Sequence, residues 1–446
     1  MFEYDAVLYS RILTYLTLGF HAIFATIGVG IPVMIALAEW MGIKRNDPHY
    51  LLLARRWARG FVITVAIGVV TGTAIGLQLS LLWPSFMQLA GNVIGLPLFL
   101  ETFAFFFEAI FLGIYLYTWD RFKTPIRHFL LVIPVVIGAS ASGFFISTVN
   151  AFMNTPQGFI FEDGALTNIQ PLAAMFNPAT PTKIAHVLSS AYLTSAFILA
   201  AIAAFAILKG RKHVYYKKAL KLTMVAALIF AISTALIGDL SGKFLAKYQP
   251  EKLAAAEWHF ETTTEAPLVI GGFLTEDNEI KYALEIPYAL SILAHGSPTA
   301  EVIGLEEFPE EELPPLWVHY FFDLMVMFGI YLMIVSLIYV IFTRFKKWNE
   351  HARPLLWAIV AGGPFAMLAI EFGWLFAEQG RQPWILVGYM TTAEGATTSA
   401  HVDIMLYLFL ALYTVLAVTC IVILRKMFRN HTAEEEIKER GLDKLQ

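Results

Sequence analysis

Residues 12–38 read ILTYLTLGFHAIFATIGVGIPVMIALA, an apolar run without Asp, Glu, Lys or Arg. An α-helix rises about 1.5 Å per residue, so roughly 20 residues cross ~30 Å of hydrocarbon, and this run is longer than that. Glu3 and Asp5 stand where a cleavable signal peptide would carry basic residues. We therefore expect this first helix to be retained in the membrane.

Comparable apolar runs recur along the chain. They lie at 60–100, 102–119, 128–161, 184–208, 222–238, 324–343, 354–370 and 404–424. Of the 446 residues, 58% are hydrophobic and 15% are charged, and the mean hydropathy is +0.64. These values are typical of a polytopic membrane protein. The sequence predicts an all-α fold with nine transmembrane helices.

Basic residues alternate between successive loops. The connections after the first, third, fifth and seventh runs hold most of the Lys and Arg, including Lys346 and Lys347. Because positive loops stay in the cytoplasm, we expect the N-terminus outside and the C-terminus inside. Residues 433–440 are predicted to form a short exposed helix in a solvated tail.

Hydropathy divides the chain into four parts. Residues 1–242 would form helices one to six, 243–315 an outer loop, 316–427 helices seven to nine, and 428–446 a cytoplasmic tail. The loop is acidic but contains apolar patches, so we expect it to be folded rather than disordered.

Several polar side chains interrupt the apolar runs, where they are costly and therefore candidates for function. His21 and His186 are candidate ligands of haem iron, although a pore or transport role is also open. Met325 lies at the depth of His186, so topology permits a His/Met haem pair, but most methionines are packing residues. The single Cys420 excludes a disulfide.

Carboxylates form a second group of candidates. Glu101 and Glu108 are seven residues apart, so they project from nearly the same face of one helix, as in proton relays. Glu101 could instead pair with an arginine at a helix end. Glu378 occurs with Arg381 and two tryptophans in residues 373–384, which predicts a buried charged site.

Taken together, these motifs resemble subunit I of the cytochrome bd-type quinol oxidases, in the form with a short outer quinol loop. The resemblance rests on Gly373-Trp374, on Gly380-Arg381-Gln382-Pro383-Trp384, on the GDLSG segment at 238–242, on Ala185-His186-Val187, on Glu101 and Glu108, and on Lys252 with Glu257.

The resemblance implies a role for each of these residues. His186 and Met325 would be the axial ligands of a low-spin haem b, while His21 and Glu378 would hold a high-spin haem b and a haem d, in an order that the sequence leaves open. A subset of the family replaces haem d with haem b. Trp374 would lie between haems, Arg381 near a propionate, Lys252 and Glu257 at the quinol, and Glu101 and Glu108 on the proton route. Asp323 stands where some relatives carry a basic residue.

The implied function is quinol oxidation at the outer face of the cell (cytoplasmic) membrane and reduction of O2 to water. Protons would come from the cytoplasm, which generates a proton-motive force without pumping. The implied partners are a related multi-span subunit II, quinol, O2 and membrane lipid; a small single-span subunit is left open, and no nucleic acid is expected. Two alternatives are a proton-coupled transporter subunit, for which no inverted repeat is seen, and a haem-binding, quinone-linked membrane anchor of a dehydrogenase.

Overall fold

A computed structural model describes residues 4–345 and 349–442. Glu3, Lys346, Lys347 and residues 443–446 of the predicted tail lie outside these ranges. Within them, nine helices are long and apolar enough to cross a membrane. The predicted number of spans and the all-α class are therefore confirmed.

The helices vary from single turns to forty residues. In chain order they are α1 (Ala6–Arg45), α2 (Pro48–Leu82), α3 (Pro84–Tyr117), α4 (Pro125–Phe129), α5 (Val132–Asn154), α6 (Pro171–Met175), α7 (Thr180–Leu208), α8 (Val214–Tyr248), α9 (Pro250–Ala256), α10 (Ala289–His295), α11 (Val318–Phe345), α12 (Arg353–Gln379), α13 (Thr392–Gly395), α14 (Val402–Asn430) and α15 (Ala433–Glu439). The fourth span combines α4 with α5, and the ninth combines α14 with α15.

Local sequence sets where the first two helices begin and end. The side chain of Asp5 accepts hydrogen bonds from the first turn of α1. Asn46 ends α1 in the left-handed conformation (φ 49°), Asp47 caps α2, and Pro48 occupies its first position. This short connection reverses the chain and packs α1 against α2.

The central helix of the bundle is α7, which packs against α1, α5, α8 and α12. Small residues permit close approach between these helices. Gly30 on α1 faces Ser195 on α7, and Gly362 on α12 lies against Phe197 on α7, where a Cβ would come within 2.6 Å of the ring. Small residues at helix contacts are typical of membrane bundles.

Short strands form antiparallel pairs in the connections. They are β1 (Ile160–Glu162) with β2 (Ala165–Thr167), β3 (Thr263–Thr264) with β8 (Glu301–Val302), β4 (Leu268–Ile270) with β7 (Leu284–Ile286), β5 (Phe273–Leu274) with β6 (Ile280–Lys281), and β9 (Trp384–Leu386) with β10 (Met390–Thr391). Two 3-10 turns follow at Leu305–Glu307 and Glu310–Glu312. The long loop is thus folded, and it is shorter than 243–315 at its start because α8 continues to Tyr248.

The end of the chain is packed against the bundle, so the prediction of an exposed helix in a solvated tail is wrong for α15. Glu436 is buried and pairs with Arg56 and with Arg59 of α2, the second at 2.9 Å. Ile437 is buried beside it. The reason is charge pairing between helices distant in sequence, which a local pattern does not reveal.

Candidate functional site

His21 lies inside α1, and in the described part of the chain only one of its ring nitrogens makes a hydrogen bond. Its Nδ1 is 2.8 Å from Oγ1 of Thr71 on α2. Because that hydroxyl donates to the carbonyl of Ile67 at 2.9 Å, it accepts from Nδ1, which therefore carries the hydrogen. Nε2 keeps its lone pair, as a metal ligand requires. Gly72 gives the ring room, since a Cβ there would lie 3.3 Å from Cε1 of His21.

His186 and Met325 each face a glycine on a neighbouring helix. Opposite His186 on α7 is Gly238 on α8, where a Cβ would lie 3.7 Å from Cε1. Opposite Met325 on α11 is Gly373 on α12, where a Cβ would lie 3.1 Å from Sδ. Nδ1 of His186 is buried and has no hydrogen-bond partner among the described residues. Both side chains lie about two turns from the start of their helix.

Glu378 lies in the last turn of α12 with both carboxylate oxygens bound. Oε1 accepts from Nδ2 of Asn150 at 2.6 Å, and Oε2 accepts from Nη2 of Arg381 at 2.6 Å. Arg381 is 5% exposed, so the ion pair is buried. Each oxygen can accept more than one bond, so Glu378 keeps lone pairs for a metal. Asn150 lies on α5, and the sequence alone did not identify it.

One face of α12 carries Glu371, Trp374 and Glu378, at the three- and four-residue spacings of a helix. Trp374 is partly buried. The eighth apolar run was predicted to stop at residue 370 because the next residue is charged. The helix instead continues to Gln379, so Glu371 lies inside it.

Lys252 lies in α9 and reaches back to the end of α12. Its Nζ donates to the carbonyl of Ala377 at 3.1 Å and lies 4.9 Å from the ring centre of Phe376. Gly380 permits this approach, since a Cβ there would be 2.6 Å from Cε of Lys252. Burial, and next the charge of Arg381, lower the pKa of Lys252 to about 7.

Glu257 follows α9 directly and is 1% exposed. Its Oε2 accepts from the backbone N–H of Val269 at 3.3 Å, and its Oε1 has no hydrogen-bond partner in the described part of the chain. Burial, and next the negative charge of Asp323, raise the pKa of Glu257 well above its usual range. The loop therefore holds an amine and a carboxyl group whose proton affinities are shifted in opposite directions.

His319 and Asp323 tie the long loop to the start of α11. Nδ1 of His319 lies 2.7 Å from the carbonyl of Ala256, and Nε2 lies 3.0 Å from the carbonyl of Gly271. The ring stacks on Trp258 with centroids 3.8 Å apart. Asp323 accepts from the N–H of Gly271 at 2.5 Å and lies 3.2 Å from Nε2 of His319. Asp323 thus anchors the loop, which gives it a role that does not require a basic residue.

Glu101 and Glu108 lie on α3 and both face α5. Oε1 of Glu101 accepts from the hydroxyl of Ser142 at 2.8 Å. Glu108 is 3% exposed, and its Oε1 has no hydrogen-bond partner within the described ranges. Gly138 packs against it so closely that a Cβ would lie 3.0 Å from Cβ of Glu108. The seven-residue spacing separates the two carboxylates by about 10 Å along the helix axis.

Basic side chains collect around Glu378. Lys183, Lys252 and Arg381 are all close enough to interact electrostatically with it. Arg11 also reaches the end of α12, where its Nη2 donates to Oε1 of Gln379 at 3.5 Å. Arg11 and Arg381 stay charged at neutral pH, and one buried carboxylate balances only one of them, so the site favours an additional anion. The propionates of haem are anions of this kind.

These donor atoms fit haem better than a bare metal ion. Among the described residues, no three His, Cys, Asp or Glu side chains come together as a bare ion would need. Haem iron requires only one or two protein ligands, because the porphyrin supplies the others. Within the described ranges, Nδ1 of His186 has no hydrogen-bond partner, and His21 uses only Nδ1 in a hydrogen bond. Glycines face His21, His186 and Met325.

The described part of the chain contains nine apolar helices with imidazole, thioether and carboxylate donors inside them, and a folded loop at one end. These features define a multi-pass membrane protein suited to bind haem. The comparison with known families makes the assignment specific. The chain belongs to the cytochrome bd terminal oxidase subunit I family, which it matches over residues 9–432. It is a haem-containing terminal oxidase subunit of the cell membrane, and subunit II is its partner.

Relatives support this assignment over the full length of the chain. It is 42% identical over 439 residues to a putative cytochrome bd menaquinol oxidase subunit I of Bacillus subtilis, covering 97% of this chain and 99% of that protein. It is 32% identical over 410 residues to a cytochrome bd ubiquinol oxidase subunit 1 of the same organism, covering 88% and 86%. A solved structure of bd oxidase from Geobacillus thermodenitrificans matches with a TM-score of 0.93 and 66% identity, over 97% of this chain and 100% of that chain.

The predicted family, fold class, terminal oxidase activity and membrane location are confirmed. The individual ligand, quinol and proton-route residues stay predictions, as do the haem types and the orientation of the termini. Thr71, Asn150, His319 and Glu371 are the neighbours that the sequence did not identify. Only Glu371 had a local signal, because it is the charge that ended an apolar run.

Proposed function

We propose that the chain oxidises quinol at its outer face and reduces O2 to water, with the N-terminus outside and the C-terminus in the cytoplasm. One observation carries this proposal: Lys252 of the outer loop donates to the carbonyl of Ala377, the residue before Glu378. A candidate quinol residue therefore adjoins a candidate haem ligand. Relatives named as menaquinol and ubiquinol oxidases support a quinol as the reductant.

Lys252 and Glu257 would take up the protons that quinol loses. Oxidation of a quinol releases two protons and two electrons. Because the pKa of Lys252 is lowered to about 7, a large fraction of its amine is uncharged near neutral pH and can accept a proton. Because the pKa of Glu257 is raised, its carboxylate binds a proton more readily than an ordinary glutamate does. Both protons then leave on the outer side.

The four candidate ligands would bind three haems. His186 and Met325 would hold a low-spin haem b, and His21 and Glu378 would hold a high-spin haem b and a third haem of type d or b. Bound haem iron supplies the electron transfer and the oxygen chemistry. Trp374 would separate haems, while Arg381 would balance a propionate and orient Glu378 through their ion pair.

Glu108 and Glu101 would carry protons from the cytoplasm. Reduction of O2 to two waters consumes four protons and four electrons. The electrons start at the outer loop, and the protons come from the other side, so charge separates across the membrane without a pump. Both carboxylates face α5, and neither has an ion pair in the described part of the chain.

Purification of the complex with its second subunit tests the proposal. We expect three haems in a pyridine haemochrome spectrum, which also distinguishes haem b from haem d, and quinol-dependent oxygen uptake. His186→Ala should remove the low-spin haem signal, and Glu108→Gln should slow oxygen consumption. Glu162→Gln, at an exposed carboxylate of β1, is the matched control.

Two outcomes would favour the alternatives. A colourless preparation would indicate a transporter subunit. A preparation with haem but without oxygen uptake would indicate a membrane anchor of a dehydrogenase. A search for a small single-span subunit in the same preparation would complete the subunit inventory.

A further inference from the structure

Glu371 is a carboxylate that none of these roles uses. It lies on α12, seven residues before Glu378, within a membrane-spanning helix. Its Oε1 is buried and has no hydrogen-bond partner, and no ion pair to it occurs in the described part of the chain. By contrast, Glu101 and Glu378 both accept hydrogen bonds from neutral side chains.

The side chain of Glu371 points across the interface with α1. Its Oε2 would lie 3.2 Å from a Cβ at Gly19, two residues before His21. Arg11 lies eight residues before Gly19 on α1, and Gln379 lies eight residues after Glu371 on α12. These two side chains are also hydrogen-bonded to each other. The equal spacing shows that α1 and α12 run antiparallel and side by side through this stretch. Glu371 therefore lies at nearly the depth of His21.

Glu371 also lies at about the depth of Glu101. The depths of Glu378 and Glu101 can be compared along α5, which contacts both. Asn150 of α5 binds Glu378, and Ser142, eight residues deeper on α5, binds Glu101. That interval is about 12 Å, whereas Glu371 is about 10 Å deeper than Glu378 along α12. Two carboxylates thus reach the same level of the bundle from different helices.

A carboxylate in these surroundings needs a proton or a cation. Ionised groups without donors are strongly disfavoured in an apolar bundle. The arginines of the site, Arg11 and Arg381, lie at the outer end of α12, about two turns away. Glu371 instead packs on Gly19, which supplies no charge partner. This arrangement suits a carboxylic acid that holds its proton and can release it to an acceptor.

We propose that Glu371 is the acid that delivers protons to the oxygen-reduction site on the His21 side of α12. In each step the O–H bond of Glu371 breaks and the proton goes to reduced oxygen, while the electron comes from quinol. The carboxylate then regains a proton supplied from the side of Glu101 and Glu108. Four such steps supply the four protons of two waters. This inference rests on the proposed function and adds a residue to it.

Glu371→Gln in the complete complex tests the inference, because glutamine preserves size but cannot release a proton. We expect oxygen reduction to slow by about a hundredfold, the lower end of what a positioned acid contributes. Anaerobic reduction of the haems by quinol should keep its rate, and the haem content should stay unchanged. Glu371→Asp, which keeps the acid, should recover part of the activity, and Glu162→Gln should behave as the parent.

Infrared difference spectra give a readout that does not depend on turnover. The oxidised-minus-reduced spectrum of the parent should contain a protonated carboxyl band that is lost in Glu371→Gln and shifted in Glu371→Asp. Oxygen reduction within twofold of the parent, an unchanged carboxyl spectrum, or loss of a haem in the Gln variant would each overturn the inference. Failure of the proposed function itself would be recognised separately, because the parent complex would then lack quinol-dependent oxygen uptake.

Discussion

A methyl group added at Gly373 tests whether Met325 is a haem ligand. In Gly373→Ala the new Cβ would lie 3.1 Å from Sδ and 3.7 Å from Cγ of Met325, whereas ordinary contacts begin at 3.4 Å. The sulfur must therefore retreat by about 0.3 Å. Metal–ligand distances tolerate deviations of about 0.2 Å, so the displacement exceeds what the bond can absorb.

The fold should survive this change. Alanine is favoured over glycine inside a helix by about 0.8–1.0 kcal/mol. Overpacking costs about 1–3 kcal/mol. The net effect is a destabilisation between roughly zero and 2 kcal/mol, which leaves α12 intact. The expected damage is thus to ligation rather than to folding.

Redox titration and low-temperature electron paramagnetic resonance measure the effect. Because a methionine ligand raises the reduction potential, its weakening should lower the midpoint potential of the low-spin haem and increase the high-spin fraction. A tenfold loss of preference for the reduced form corresponds to about 59 mV, and we expect at least that shift. Gly113→Ala is the control, because nothing lies within 4 Å of its Cβ. An unchanged potential and spin state in Gly373→Ala would refute the ligand assignment.

Three further changes test other parts of the molecule. In the parent we expect kcat/KM for quinol to rise with pH around 7, because the lowered pKa of Lys252 leaves its amine increasingly neutral above that pH. Lys252→Arg should abolish this rise, because arginine stays charged. An identical pH profile in the variant would contradict the role of Lys252. Arg56 is 7% exposed, and Glu436→Gln removes its buried charge partner. The loss should cost about 3 kcal/mol, so the thermal unfolding temperature in detergent should fall by several degrees. Glu39 accepts from His128 at 2.6 Å with one oxygen and from the hydroxyl of Tyr115 at 2.7 Å with the other. Glu39→Gln leaves only one acceptor oxygen for these two partners, at a cost of about 1–3 kcal/mol, and an unaltered unfolding temperature would count against this pair of bonds.

Hydropathy predicted the number of helices but not their lengths. The second apolar run begins at residue 60, whereas α2 begins at Pro48 and includes Arg55, Arg56 and Arg59. Charged residues at the end of a span can remain helical because their side chains reach water or meet a partner. Arg56 meets Glu436 from the far end of the chain. Such long-range pairs also explain why α15 is buried.

The candidate site was predictable where burial alone marks a residue. Polar side chains inside apolar runs identified His21, His186 and Glu108 without reference to any neighbour. Their partners belong to other helices, and the spacing of one helix contains no information on them. Thr71, which fixes the tautomer of His21, is fifty residues away in sequence. Gly373 stood in the motif, but its position beside Met325 is a property of the fold.

The most direct test of the central claim uses the complex of this chain with subunit II in liposomes, supplied with quinol and oxygen. We predict that two quinols are oxidised for each O2 consumed and that about one proton per electron appears on the outer side, as vectorial chemistry without pumping requires. A haem-loaded complex that oxidises no quinol with oxygen, or that releases its protons on the inner side, would contradict the account.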